Sequence, residues 1–155
     1  MDAKLERVIE AGAAKGVEVR PVTFSTDTRT AVDAAREVGC ELAQIVKSLV
    51  FQAGEEPLLF LMSGANRLDP IKAKGAAGVD TLDKADATRA KEVTGFSIGA
   101  TPPFGHTHEV RVFMDEDLLA FDTVWAAAGR PDSVFAVDPH ALATATGATV
   151  GALAE

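Results

Sequence analysis

The sequence predicts a mixed α/β fold, a curved mixed β-sheet or partial barrel flanked by helices. Three observations carry that expectation. Short apolar runs of strand length alternate with segments of helical spacing. Pairs of those runs are joined by turn residues, so the strands form hairpins and the sheet is not doubly wound. Aspartate or threonine starts and glycine stops punctuate the helices. No linker, repeat or low-complexity segment interrupts the chain, so residues 1–155 are expected to form a single domain, long enough to bury a core.

Taken in order, Leu5, Val8 and Ile9 follow the capping residue Asp2 at helical spacing, and Gly16 ends the run, giving a helix over 3–15. Residues 17–24 read as a strand, with Pro21 marking a sheet edge. Thr30 opens an alanine-rich helix that Gly39 closes. Residues 45–51 form a strand, and Gly54-Glu55-Glu56-Pro57 turns the chain into a second run over 58–62. Asp69-Pro70 combines a cap with proline at the first helical position and starts a helix ending at Ala77. Another helix covers 87–94 before Gly95. Residues 110–114 alternate like a strand, and 122–128 turns at Gly129-Arg130-Pro131-Asp132 into 134–137. Asp138-Pro139 repeats the helix start, and Gly147 ends that helix.

Composition narrows the function. Apolar residues make up 47% and charged residues 25%, as in an ordinary globular protein. No apolar run approaches the ~18 residues of a membrane span, and the first seven residues mix charges unlike a secretory leader. A cytoplasmic protein with no membrane partner is therefore expected. The single cysteine, Cys40, permits no internal disulfide and reads as a small packed residue. The net charge of −8 argues against coating nucleic acid or binding duplex DNA. Residues 109–155 hold eight acidic residues against two arginines, so an anionic partner is expected to meet the earlier part of the chain.

Two features carry chemistry. Lys47 sits in an apolar strand pattern, where a charge is unfavourable unless it has a partner. It either lies near a sheet edge or beside a carboxylate with its tip in water, or stands at a pocket mouth, where low dielectric strengthens its pull on an oxygen. The second feature is the stretch Gly99-Ala100-Thr101-Pro102-Pro103-Phe104-Gly105-His106. Its prolines fix φ and remove two donors, leaving the amides of Ala100 and Thr101, while Gly99 has no Cβ to block an approaching group. That turn either serves as punctuation or holds a carbonyl or oxyanion. His106 and His108 form no ligand pattern with a third residue, so no metal and no cofactor are expected. His106 reads as a pocket-wall or loop-anchoring residue. Arg67, Lys72 and Lys74 form a local basic cluster, either a solvated helix face or the best place to meet phosphates. Trp125 and Phe121 are expected in the core.

The runs Gln44–Phe51, Ser63–Asp69, Gly95–His106 and Phe121–Gly129 resemble the YbaK/ProX family of aminoacyl-tRNA deacylases, free-standing relatives of the editing insertion of bacterial prolyl-tRNA synthetase. Lys47 matches the family's lysine, and Gly99 to Pro103 its Gly-x-x-x-Pro loop. The resemblance implies hydrolysis of the ester joining a wrong amino acid to the 3′ acceptor end of a tRNA, with the mischarged tRNA and prolyl-tRNA synthetase as partners. It implies catalytic roles for Lys47, Gly99, Ala100 and Thr101, and substrate binding by Pro102, Pro103, Gly105, His106, Ser63 and Gly64. Arg67, Lys72 and Lys74 are then the candidate tRNA contacts. The cysteinyl-tRNA-hydrolysing branch has a serine before the loop's final proline, where this chain has Pro102. The loop and the segment around Trp125 are closer to the ProXp-x branch, which implies clearance of small residues such as alanine or 2-aminobutyrate. The alternative, from another class, is a module that binds aminoacyl-tRNA or a regulatory partner without turnover.

Overall fold

The computed structural model describes residues 2–24 and 30–155. The helices form where cap chemistry marks them. α1 (Ala3–Ala14) starts at Asp2, whose side chain accepts from the Lys4 amide, and α2 (Ala31–Val38) starts at Thr30. α3 (Pro70–Ala77) and α5 (Pro139–Thr146) use the two Asp-Pro starts, and in each the aspartate accepts from two first-turn amides. α4 (Ala87–Thr94) begins at Asp86. α2 to α5 each end at a glycine in the left-handed conformation.

The expected mixed α/β architecture with flanking helices is present, and its strands fall into two sheets that do not close into a barrel. β1 (Val22–Thr23), β6 (Val124–Ala127) and β7 (Ser133–Val137) form an antiparallel sheet of order β1-β7-β6. β2 (Val46–Ala53), β3 (Glu56–Ser63), β4 (Asp83–Lys84), β5 (Arg111–Asp115) and β8 (Thr149–Gly151) form a mixed sheet of order β4-β2-β3-β5-β8. The predicted hairpin of β2 and β3 is present, with Ala53 opposite Glu56 and Lys47 opposite Met62. The expected strand over 17–24 shortens to Val22–Thr23, which pairs only with β7 and is an edge, as Pro21 suggested. β4 and β8 are additional: each is two or three residues long, too short to show alternation in the sequence.

A single isolated bridge, Ile45 with Trp125, links the sheets near the start of β2. β4 covers only the far end of β2, opposite Phe51 and Gln52. The edge over 46–49 is thereby left toward the three-stranded sheet, and this is where the site lies. The main core packs Val46, Val50, Leu59 and Leu61 against Phe96, Phe104, Val124 and Phe135. A second cluster, including Leu58, Phe60 and Phe113, lies on the other face of the mixed sheet and is covered by α3.

Gly129 is fixed by both torsion and space. Its φ is +102°, and a Cβ would lie 3.0 Å from Phe96 Cε1 and 3.1 Å from the Lys4 carbonyl oxygen. Gly147 has φ +65° but open space around it. Gly129→Ala is expected to destabilise the protein by about 3 kcal/mol and Gly147→Ala by only about 1 kcal/mol, as read by urea denaturation.

Candidate active site

Lys47 and the proline loop meet. A cavity of about 210 Å³ is lined by Lys47 and Ser48 from β2, by Gly99 and Thr101 from the loop, and by Trp125 from β6. Ala31 and Ala34 of α2 complete it on another side. Trp125, expected in the core, is half-buried and forms part of this wall. The small side chains Ala31, Ala34 and Ala127 leave the space that larger residues would fill.

The Lys47 ammonium is held rather than free. Its Nζ donates to the backbone carbonyl of Asn66. The turn bearing that carbonyl is in turn fixed by Asp115, which is 1% exposed at the end of β5. Asp115 Oδ2 accepts from the Ser63 amide at 3.1 Å and from Asn66 Nδ2 at 2.8 Å, and Oδ1 accepts from the Asp117 amide at 3.0 Å. Burial holds the Lys47 pKa below the ordinary lysine value; the Asp115 carboxylate opposes that shift, and the Arg67 cation adds to it. Asn66 and Asp115 were not singled out from the sequence. Asp115 reads there as one of three consecutive acidic residues, and only the parallel pairing of β3 with β5 brings it to Ser63 and Asn66.

The loop divides its residues between two sides of the protein. Gly99 has φ +87°, and nothing lies within 4 Å of the place a Cβ would take, so a ligand can reach the backbone closely there. Ala100 is buried and its N–H donates to the Ser97 carbonyl at 3.0 Å, so this amide is committed to a turn and is not the free donor expected of it. Thr101 is buried, with its hydroxyl donating to Ser97 O at 3.1 Å. Pro102 contributes its carbonyl, 2.7 Å from His106 Nε2. Because a carbonyl only accepts, His106 carries its proton on Nε2 and clamps the loop from within.

Pro103, Gly105 and His106 do not line the Lys47 cavity. They line a separate, wider groove of about 630 Å³ together with Lys15 and Arg111. The chain passes through the protein between Thr101 and Pro103, so neighbours in sequence face opposite sides. Gly105 is tied to α1 through its carbonyl, which accepts from Arg7 Nε at 2.7 Å. Ser63 and Gly64 also lie outside the cavity lining. Ser63 Oγ donates to the Ala43 carbonyl and the Gly64 amide to the Ile45 carbonyl, both at 2.7 Å, so they shape the turn that presents Asn66 to Lys47. Arg67 is exposed near Lys47 and lies 3.7 Å from Glu155, while Lys72 donates to the Ala154 carbonyl and Lys74 lies in the last turn of α3. Among the described residues, no three His, Cys, Asp or Glu side chains gather as metal ligands.

Fold and cavity together bring one lysine and the backbone of a stiff loop to a single cavity. The sequence profile described as aminoacyl-tRNA editing domain matches residues 25–145, and the chain belongs to that family. It is accordingly an aminoacyl-tRNA deacylase, a hydrolase of carboxylic ester bonds. A solved structure of a protein proposed as a trans-editing enzyme for prolyl tRNA synthetase superposes with a TM-score of 0.94 at 42% identity, covering 100% of this chain and 99% of that one. The Bacillus subtilis protein YwhH is 33% identical over 120 residues, covering 77% of this chain and 76% of its own length. Proline–tRNA ligase of Desulforamulus reducens is 28% identical over 105 residues, and this chain covers 18% of that enzyme's length. Among the described residues no helix is long and apolar enough to cross a membrane.

Two predictions follow from the geometry. Asp115→Asn sets an amide NH2 among N–H donors and removes a negative charge near Lys47. It is expected to destabilise the fold by about 2–3 kcal/mol and to lower the Lys47 pKa further, measured by NMR titration of the Lys47 side chain. His106 is depressed below its ordinary value of 6.5 by burial, with the Pro102 hydrogen bond opposing. A depressed folded-state pKa means the unfolded chain binds the proton first, so its stabilisation is present above pH 6.5 and lost as the pH falls through the lower folded value. His106→Gln, which retains a donor for Pro102, is expected to flatten the part of the stability curve just below that pH, read by thermal unfolding across pH.

Proposed function

We propose that the protein acts in trans on mischarged tRNA for proline, releasing a small amino acid such as alanine or 2-aminobutyrate from the 3′ acceptor end. The observation that carries this reading is the placement of Lys47 with Gly99 and Thr101 around one cavity of about 210 Å³, a size suited to a small side chain. The resemblance to an enzyme proposed to edit for prolyl tRNA synthetase, and to proline–tRNA ligases, supports the choice of tRNA and an association with the synthetase.

An aminoacyl ester is already activated, so a strong protein nucleophile is unnecessary. Water, or the neighbouring ribose 2′-hydroxyl acting on it, attacks the carbonyl carbon; the bond to the 3′ oxygen then breaks and that oxygen takes the proton. The protein's work is to orient the ester and stabilise the oxyanion. The amides of Gly99 and Thr101 hold the carbonyl oxygen, and the Lys47 ammonium adds positive potential beside it. Pro102 and His106 contribute by fixing the loop rather than by touching substrate. Arg67, exposed beside Lys47, meets the acceptor-strand phosphates, with Lys72 and Lys74 further out on α3. The enzyme acts in the cytoplasm, where tRNA is charged.

The test is release of amino acid from alanyl-tRNA for proline. The wild-type chain is expected to release alanine, and Lys47→Ala to lose at least about a hundredfold in rate with an unchanged circular dichroism spectrum. Full activity in a folded Lys47→Ala protein contradicts the reading.

A further inference from the structure

Four hydroxyl-bearing residues line the Lys47 cavity: Thr30, Ser48, Thr101 and Ser133. Three already serve the protein. Thr30 Oγ1 accepts from the Asp33 amide at 3.1 Å as the cap of α2. Thr101 Oγ1 donates to the Ser97 carbonyl. Ser133 Oγ pairs with Thr23 Oγ1 at 2.8 Å and reaches Asp132 at 3.3 Å. Ser48 differs. Its Oγ is buried and meets no hydrogen-bond partner among the described residues. A hydroxyl shut away in this manner forfeits the bonds it would make to water, and native proteins keep few such groups without a use.

The substrate supplies a complementary need. An aminoacyl ester has a carbonyl, which requires donors, and an α-amino group, which brings N–H donors and requires an acceptor. Lys47 and the loop amides answer the first requirement only. No aspartate or glutamate lines the cavity among the described residues, and the Lys47 ammonium repels a second cation. Among the described side chains of the lining, the acceptor with no existing commitment is the Ser48 hydroxyl. We propose that Ser48 Oγ accepts a hydrogen bond from the α-amino group of the bound amino acid. Ser48 is then a substrate-contact residue that selects esters of α-amino acids over simple acyl esters. Lys47 and Ser48 are adjacent on β2 and both border the cavity, so the two ends of the substrate head are met by neighbouring residues along one strand edge. The assignment rests on the deacylase reading above.

The experiment compares wild type and Ser48→Ala on tRNA for proline carrying either alanine or a propionyl group, which differs in lacking the α-amino group. Loss of one hydrogen bond from the charged α-amino group is expected to lower kcat/KM for alanyl-tRNA about ten- to a hundredfold, while the propionyl value stays within about twofold. The unfolding midpoint of Ser48→Ala is expected to equal or exceed that of wild type, since a buried hydroxyl without a partner is removed. Unchanged kcat/KM for alanyl-tRNA, parallel losses on both esters, or a lowered unfolding midpoint overturns the assignment. A wild-type chain that leaves alanyl-tRNA intact overturns the deacylase reading itself and this assignment with it, and the wild-type lane alone distinguishes that case.

Discussion

The hold of Asn66 on the Lys47 ammonium is the contact on which the site depends. A lysine on an apolar strand has a long, flexible stem, and without a fixed acceptor its charge seeks water. Here the acceptor is a backbone carbonyl in a turn that Asp115 anchors from below with the Ser63 and Asn66 hydrogen bonds. The carboxylate does not pair directly with the lysine. It fixes the partner of the lysine and contributes a favourable field from its buried position. Among the described residues, this arrangement leaves a cation beside the cavity without a neutralising anion in its lining. In the proposed reaction the oxyanion meets that positive charge in a low-dielectric wall, where the interaction is stronger than in water.

The division of the strands into two sheets creates the cavity. Had β2 continued the small sheet through full pairing with β6, the edge over 46–49 would be occupied by main-chain hydrogen bonds. The contact instead reduces to the Ile45–Trp125 bridge, and α2 closes the gap with alanines. The loop enters from the far side, carrying Gly99 with open space at its Cβ position. Its rigidity comes from behind, through the His106 clamp on Pro102 and the Arg7 contact to Gly105. The family relationship fits this division of labour, since an editing domain must place an ester rather than build a nucleophile.

Local signals in the sequence were legible wherever one residue type has one physical role. Asp69-Pro70 and Asp138-Pro139 start helices, and Gly39, Gly95 and Gly147 stop them. The β2–β3 hairpin and the β6–β7 hairpin followed from apolar runs around turn residues. The joint presence of Lys47, Gly99 and Thr101 at one cavity was also legible, because a buried charge and a stiff loop each require an explanation. What depended on tertiary pairing was not. The split into two sheets and the parallel pairing of β3 with β5 leave no local trace. Asp115 therefore did not stand out from its acidic neighbours, and Ser63 and Gly64 looked like substrate contacts rather than supports of the turn. Pro103, Gly105 and His106 were expected at the same pocket as Gly99, but a loop that crosses the protein presents consecutive residues to different faces.

The most direct test of the central claim is a structure of the protein bound to an adenosine bearing alanine through a non-hydrolysable 3′-amide. The account predicts the alanyl group in the cavity between β2, Trp125 and α2, with its carbonyl oxygen within hydrogen-bond distance of the Thr101 or Gly99 amide. An alanyl group seated in the wider groove beside His106 and Arg111, away from the lysine, contradicts it.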